Sequence, residues 1–237
     1  MVLRNSDGSR TSGLVVDPSA ELVQDAMAWC AQHGLVYGAQ NPADPCALVH
    51  APFALTPVPF PRRAFERAVA ASRPFNVMID RVARDEGYLT SVLEAAARGD
   101  AEFTGRLMEV YKEEMQRRQR DGTNFPERSL VLTRSDYMLH APTSTMLQVE
   151  LNTIASSFGC LSTLVGGLHR FIFGKEGVAR DEIERRLPKN TSMATLVDGL
   201  AAGVAAHGHV DRTMVMVVQP DEQNSFDQQW LQLQLWE

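Results

Sequence analysis

The sequence predicts a helix-rich α/β fold, and three observations predict it. Apolar residues recur at the 3.6-residue period of helices along most of the chain. Two segments, 129–139 and 146–154, read as strands joined by a turn that contains Pro142. Met214-Val-Met-Val-Val218 is an unbroken apolar run, consistent with a buried strand. The chain has 237 residues, 44% hydrophobic and 22% charged, which is ordinary for a globular protein with a sizeable core.

Residues 1–16 are polar and read as a frayed terminus without the apolar stretch of a secretory signal. Arg4 and Arg10 leave a transit peptide open, although Asp7 weighs against it. Asp17-Pro18 then reads as a helix cap with proline at the first helical position. Leu22, Val23, Ala26, Met27 and Cys30 continue at helical spacing, and Gly34 closes the helix.

Pro42, Pro45, Pro52, Pro57, Pro59 and Pro61 make 41–62 a loop that wraps rather than pairs. Its Phe53, Leu55, Val58 and Phe60 are expected to lie on a core. Helices are predicted from Arg62 to Gln119, with a break at Pro74 and brackets at Gly87 and Gly99. The charged run of Lys112, Glu113, Glu114, Arg117, Arg118 and Arg120 reads as a solvated face. After the two strands come helices near 161–174, 178–187 and 192–206, the last capped from Asn190-Thr191-Ser192. A helix can start at Phe226, while the alternation of 229–237 also suits a strand.

Charge and composition exclude several functions. The 23 basic and 29 acidic residues give a net charge of −6, which argues against a broad nucleic-acid surface. No stretch reaches the roughly 18 uninterrupted apolar residues of a membrane helix. Cys30, Cys46 and Cys160 are widely spaced, form no disulfide framework or CxxC site, and read as small buried hydrophobes in a reducing compartment. A cytoplasmic location fits; a plastid or other organelle stays open. No GxSxG elbow, Walker loop, GxGxxG or paired histidine motif occurs.

Four groups of residues carry candidate chemistry. If strand alternation holds, Gln148, Glu150 and Asn152 share one face, opposite Leu147, Val149 and Leu151. Glu150 and Asn152 then offer two oxygens to a hard cation such as Mg²⁺, or simply form the wet face of the strand. Arg134 and Asp136 share a face of the preceding strand. Arg134 offers a planar fork to a carboxylate, or an ion pair to Glu150 across the hairpin, the two-apart pairing with Asp136 being less well placed. Ser156 and Ser157 stand before a helix, either as part of an anion-holding turn or as a plain cap. Asp221, Glu222, Asn224 and Gln228 follow the 214–218 run and suit either the ammonium of a zwitterion or a solvated turn.

APFALTPVPFPRRAFERA (51–68), PFNVMIDRVARD (74–85), TRSDYM (133–138), VELNTIASSFGCL (149–161), LHR (168–170) and EQNSFDQ (222–228) together resemble the eukaryotic glutathione synthetases. These are ATP-grasp ligases that join glycine to γ-glutamylcysteine, and order and spacing agree from about residue 17 to 228. The resemblance implies Mg²⁺ on Glu150 and Asn152, with Glu150 also bordering ATP. It implies γ-glutamylcysteine on Arg134, on the turn Ile154, Ala155, Ser156 and Ser157, and on Glu222, Gln223, Asn224 and Gln228. It implies homodimers, and a stepwise reaction through an acyl phosphate.

Two departures stand out: Ala155 replaces a common serine, and the likeness ends after Gln228. The family's glycine-rich phosphate lid, its basic ATP-holding residues and a further magnesium glutamate are not found here. The expectation is therefore an N-terminal, incomplete portion of the ATP-grasp fold that is inactive alone. Residues 17–210 would belong to the ATP-binding domain and 211–237 would start the substrate-binding domain. Two alternatives are a silent paralogue that binds substrate or pairs with a full-length subunit, and a homoglutathione-type synthetase using β-alanine.

Overall fold

The structure is a computed structural model, which describes residues 18–39, 43–44, 46–123, 129–154, 156–208, 213–220 and 222–237. Its elements are α1 (Ala20–Gln32), β1 (Val36–Gly38), β2 (Leu48–His50), α2 (Arg62–Arg84), α3 (Glu86–Gly99), a π-helical turn (Ala101–Gly105), α4 (Arg106–Asp121), β3 (Arg134–His140), β4 (Thr145–Asn152), α5 (Gly159–Lys175), α6 (Arg180–Arg186), α7 (Ser192–His207) and α8 (Ser225–Trp236). The chain divides into two compact units, one of residues 1–60 and 154–237 and one of 61–153.

In the first unit the periodicity of α1 buries Leu22, Ala26 and Cys30 against Leu161, Leu168 and Ile172 of α5. Burial of each large aliphatic side chain is worth about 2 kcal/mol. The cap of α1 is Ser19, whose hydroxyl accepts the Leu22 N–H at 3.1 Å; Asp17 lies outside the described residues. Gly34 closes the helix at φ 70°, and the Leu35 N–H reaches back to the Cys30 carbonyl at 2.9 Å. The other end of α5 holds Phe173 against Ile183 and Leu187 of α6. Gly159 lets α7 come close, since a Cβ there would collide with the Leu196 side chain.

The proline-rich loop departs from expectation. Leu48–His50 pairs antiparallel with Val36–Gly38, because the stretch between Pro45 and Pro52 keeps its N–H donors. Phe53 and Leu55 pack on the core as predicted, but Val58 and Phe60 are exposed. His169 holds this loop from α5: its Nε2 lies 2.8 Å from the Ala54 carbonyl, and burial lowers its pKa. Met214–Val218 is neither strand nor buried; Val217 is 93% exposed. With no neighbouring strand among the described residues, the run has nothing to pair with. Residues 229–236 are helical despite their alternation, which leaves Leu233 and Trp236 exposed. Cys46 is exposed, unlike the buried Cys30 and Cys160.

In the second unit α2 runs through Pro74 without a break. Proline already has helical φ, and the donor it lacks falls on an exposed stretch, where the freed carbonyl is open to solvent. Asp85 caps α3 by accepting the Tyr88 N–H at 2.9 Å. Asp100 orders the π-helical turn through Phe103 N, Thr104 N and the Thr104 hydroxyl. Gly122, at φ 62°, ends α4. The charged face of α4 is largely exposed, as its mixed signs predict. β3 and β4 form an antiparallel hairpin shorter than the sequence suggests, starting at Arg134 rather than 129.

Candidate functional site

The hairpin gathers the first group of site residues. Its register pairs Arg134 with Asn152 and Asp136 with Glu150, then shifts so that Tyr137 faces Gln148. The extra residue is Val149, a bulge that interrupts strict alternation. Gln148 therefore leaves the face of Glu150 and donates to the Ser135 hydroxyl at 2.7 Å. The expected triad of Gln148, Glu150 and Asn152 is corrected to a pair, joined by two residues of the neighbouring strand.

Those four side chains are in mutual contact. Arg134 grips Asp136 with both arms, Nε to Oδ1 at 2.8 Å and Nη2 to Oδ2 at 3.0 Å. The disfavoured two-apart pair thus forms, because a long guanidinium can lie along the strand, while the Arg134–Glu150 contact is a looser 4.0 Å. Asn152 Nδ2 donates to Asp136 Oδ2 at 3.3 Å and to Glu150 Oε1 at 3.1 Å. The Arg134 hydrogen bonds are the first cause holding the Asp136 carboxyl below the usual carboxylate range. Among the described residues no three His, Cys, Asp or Glu side chains form a metal cage.

The second group lies in the first unit. Ile154 is exposed, Ser156 and Ser157 are half-buried, and Ala155 lies outside the described residues. The Ser156 N–H donates to the Ile154 carbonyl at 2.9 Å, tightening the turn. The residue before α5 is Phe158 at φ 70°, and its side chain provides no cap, so neither serine is the helix cap. Instead Asp227 of α8 accepts Phe158 N at 2.7 Å, Cys160 N at 3.1 Å and Leu161 N at 2.9 Å. Those three helix-start donors are therefore already taken by Asp227.

Glu222, Gln223 and Asn224 lead into α8, and Gln228 lies in its first turn; Asp221 lies outside the described residues. Glu222 Oε1 accepts the Asn224 N–H at 2.8 Å. Asn224 Oδ1 is a buried acceptor with no partner, the kind of atom that a ligand N–H can satisfy. The Gly38 N–H meets the Gln223 carbonyl at 3.4 Å, tying this segment to β1. Burial first, then the charges of Asp227 and Glu222, push the Tyr37 phenol up. Burial also raises the Cys160 thiol to about 12, so it is no nucleophile at neutral pH.

The sequence reading missed Asp227, although it lies inside the matched EQNSFDQ segment. No local signal pointed to it: Ser156 and Ser157 look like ordinary caps in sequence, and only the structure places Phe158, which has no capping side chain, at the start of α5. No helix among the described residues is long and apolar enough to cross a membrane.

Residues 17–216 match the family model described as eukaryotic glutathione synthase, ATP binding domain. The chloroplastic glutathione synthetase of Solanum lycopersicum is 36% identical, over 94% of this chain and 42% of its own length. That of Arabidopsis thaliana is 34% identical over 89% of this chain and 39% of its own. Glutathione synthetase of Homo sapiens is 28% identical over 91% and 44%. The chain spans about two-fifths of the length of these curated relatives. Among solved structures, the apo form of a glutathione synthetase-like effector from Globodera pallida superposes with TM-score 0.68 and 21% identity, over 93% of this chain and 48% of that one. That likeness is one of fold.

Proposed function

The chain belongs to the eukaryotic glutathione synthase family, and on that premise we propose that it carries the γ-glutamylcysteine-binding residues, and part of the metal–nucleotide residues, of an ATP-dependent glutathione synthetase. The observation that carries the reading is the contact cluster of Arg134, Asp136, Glu150 and Asn152 on the bulged hairpin. The proposed reaction is phosphorylation of the cysteinyl carboxylate by ATP, followed by attack of glycine's amine on the acyl phosphate.

The donor chemistry fits Mg²⁺, which is commonly held by one or two protein oxygens with phosphate and water completing its shell. Glu150 supplies a carboxylate that is 56% exposed, and Asn152 supplies an amide oxygen once its terminal group turns over. When bound, the ion neutralises charge on the transferring phosphoryl group. Arg134 presents its guanidinium to the dipeptide carboxylate and orients it, with Asp136 holding the fork in place beforehand. Ile154, Ala155, Ser156 and Ser157 hold the same ligand, with Ser157 foremost. Asn224 Oδ1 and Glu222 accept from the γ-glutamyl ammonium, assisted by Gln223 and Gln228. Residues 17–210 are assigned to the ATP-binding domain and 211–237 to the start of the substrate-binding domain.

A second reading is favoured by one observation, the exposed run Met214–Val218. It makes the chain a silent relative that pairs with a full-length subunit through this segment. Calorimetric titration distinguishes the two. The first reading expects γ-glutamylcysteine to bind the unaltered chain and to be lost in Arg134→Ala. A folded chain that binds no dipeptide, but is stabilised on mixing with full-length synthetase, supports the second.

A further inference from the structure

We propose that Asp227 is a positioning residue that sets two dipeptide-contacting segments of the first unit, Ser156–Ser157 and Glu222–Gln228, in fixed register with each other. The inference rests on the γ-glutamylcysteine reading above and gives that ligand's site an internal brace.

Asp227 is 5% exposed and lies in the first turn of α8, next to Gln228. Its two oxygens divide their work. Oδ2 accepts the N–H of Phe158 at 2.7 Å, while Oδ1 accepts those of Cys160 and Leu161 at 3.1 and 2.9 Å. The carboxylate thus straddles Phe158 and Gly159. Phe158 is at φ 70°, a left-handed conformation that residues with a Cβ adopt only when their surroundings impose it. Ser157 directly precedes this residue, so the carboxylate that fixes Phe158 also fixes where the Ser157 hydroxyl starts.

The brace acts in both directions, because the donors are backbone groups of a buried helix start and the acceptor sits on the segment that carries Asn224 and Gln228. The helix has a second, independent anchor: Trp230 Nε1 donates to the Gly34 carbonyl at 3.3 Å, and its ring would lie 3.1 Å from a Cβ at Gly34. Docking of α8 and placement of the serine turn can therefore be separated by mutation. Asp227→Asn preserves the shape but offers one oxygen instead of two, turning an NH₂ group toward an N–H that had an acceptor.

The test compares Asp227→Asn with Trp230→Phe by calorimetric titration of γ-glutamylcysteine, well below each variant's melting temperature. The expected result is affinity weakened at least about tenfold in Asp227→Asn, the size of one lost charge-assisted hydrogen bond, and nearly unchanged in Trp230→Phe. Equal affinity in Asp227→Asn and the unaltered chain overturns the brace, as does an equal loss in both variants, which marks a purely structural cap. Absence of binding to the unaltered chain overturns the dipeptide reading itself and the brace with it. Should Asp227→Asn not fold, the ¹⁵N spectrum of the unaltered chain decides. Shifts of the Phe158, Cys160 and Leu161 amides on adding γ-glutamylcysteine support the brace, and unmoved amides overturn it.

Discussion

The two units of this chain organise polar residues in opposite ways. In the unit of residues 1–60 and 154–237, helices share an apolar core of fully buried side chains such as Leu168 and Ile172, and Asp227 is buried with three backbone donors on it. In the unit of residues 61–153, the buried hydrophobic residues among those described are Ala64 and Met108, while Phe65, Val69, Val92 and Phe103 are exposed. Its candidate site is a half-exposed network of side chains on a hairpin. The difference teaches that one unit holds its candidate residues through buried hydrogen bonds to backbone, the other through ion pairs and hydrogen bonds among half-exposed side chains.

The strongest way to break this comparison is to damage each core. Ile172→Ala should cost about 3–4 kcal/mol of stability, the range for fully buried aliphatic truncation, whereas Met108→Ala should cost no more than about 2. Denaturant unfolding measures both; equal costs would erase the contrast. Asp227→Ala leaves three N–H groups without an acceptor and should cost about 3 kcal/mol, read from the same unfolding curves. Next is Gly34→Ala, which forces a Cβ into a left-handed residue beside Trp230 and should cost about 1–2 kcal/mol.

Two smaller effects sharpen the contrast. The folded-state pKa of His169 is depressed below its ordinary 6.5, by burial first. The unfolded chain therefore takes up the proton before the folded one does, so this contribution is intact above pH 6.5 and is lost as pH falls toward the folded value. His169→Gln should flatten the melting temperature over that window. At the other extreme, Arg117 and Arg118 hold the Glu114 carboxyl at about 2 by hydrogen bonding, yet the group is on an exposed face. Glu114→Gln should leave the melting temperature unchanged within error at physiological salt.

Much of this was legible in sequence, and the failures have particular causes. α1 was readable because its buried Leu22, Ala26 and Cys30 keep a strict helical period, and the pairing of β3 with β4 because Pro142 marks the turn. The Val149 bulge was not, since strand alternation assumes that every residue has a partner, and it moved Gln148 off the candidate metal face. Pro74 misled because a break was inferred from a lost donor that costs little on an exposed stretch. Asp227 was hidden for a different reason: its partners are 66 to 69 residues away, and no local pattern reports a cap supplied from so far along the chain.

Hydrogen exchange of the whole chain, with and without saturating γ-glutamylcysteine, tests the central claim most directly. The account predicts added protection in 134–136, 150–158 and 222–228, with α6 and the charged face of α4 unchanged. Uniform exchange with and without the dipeptide, or protection confined to other segments, would contradict it.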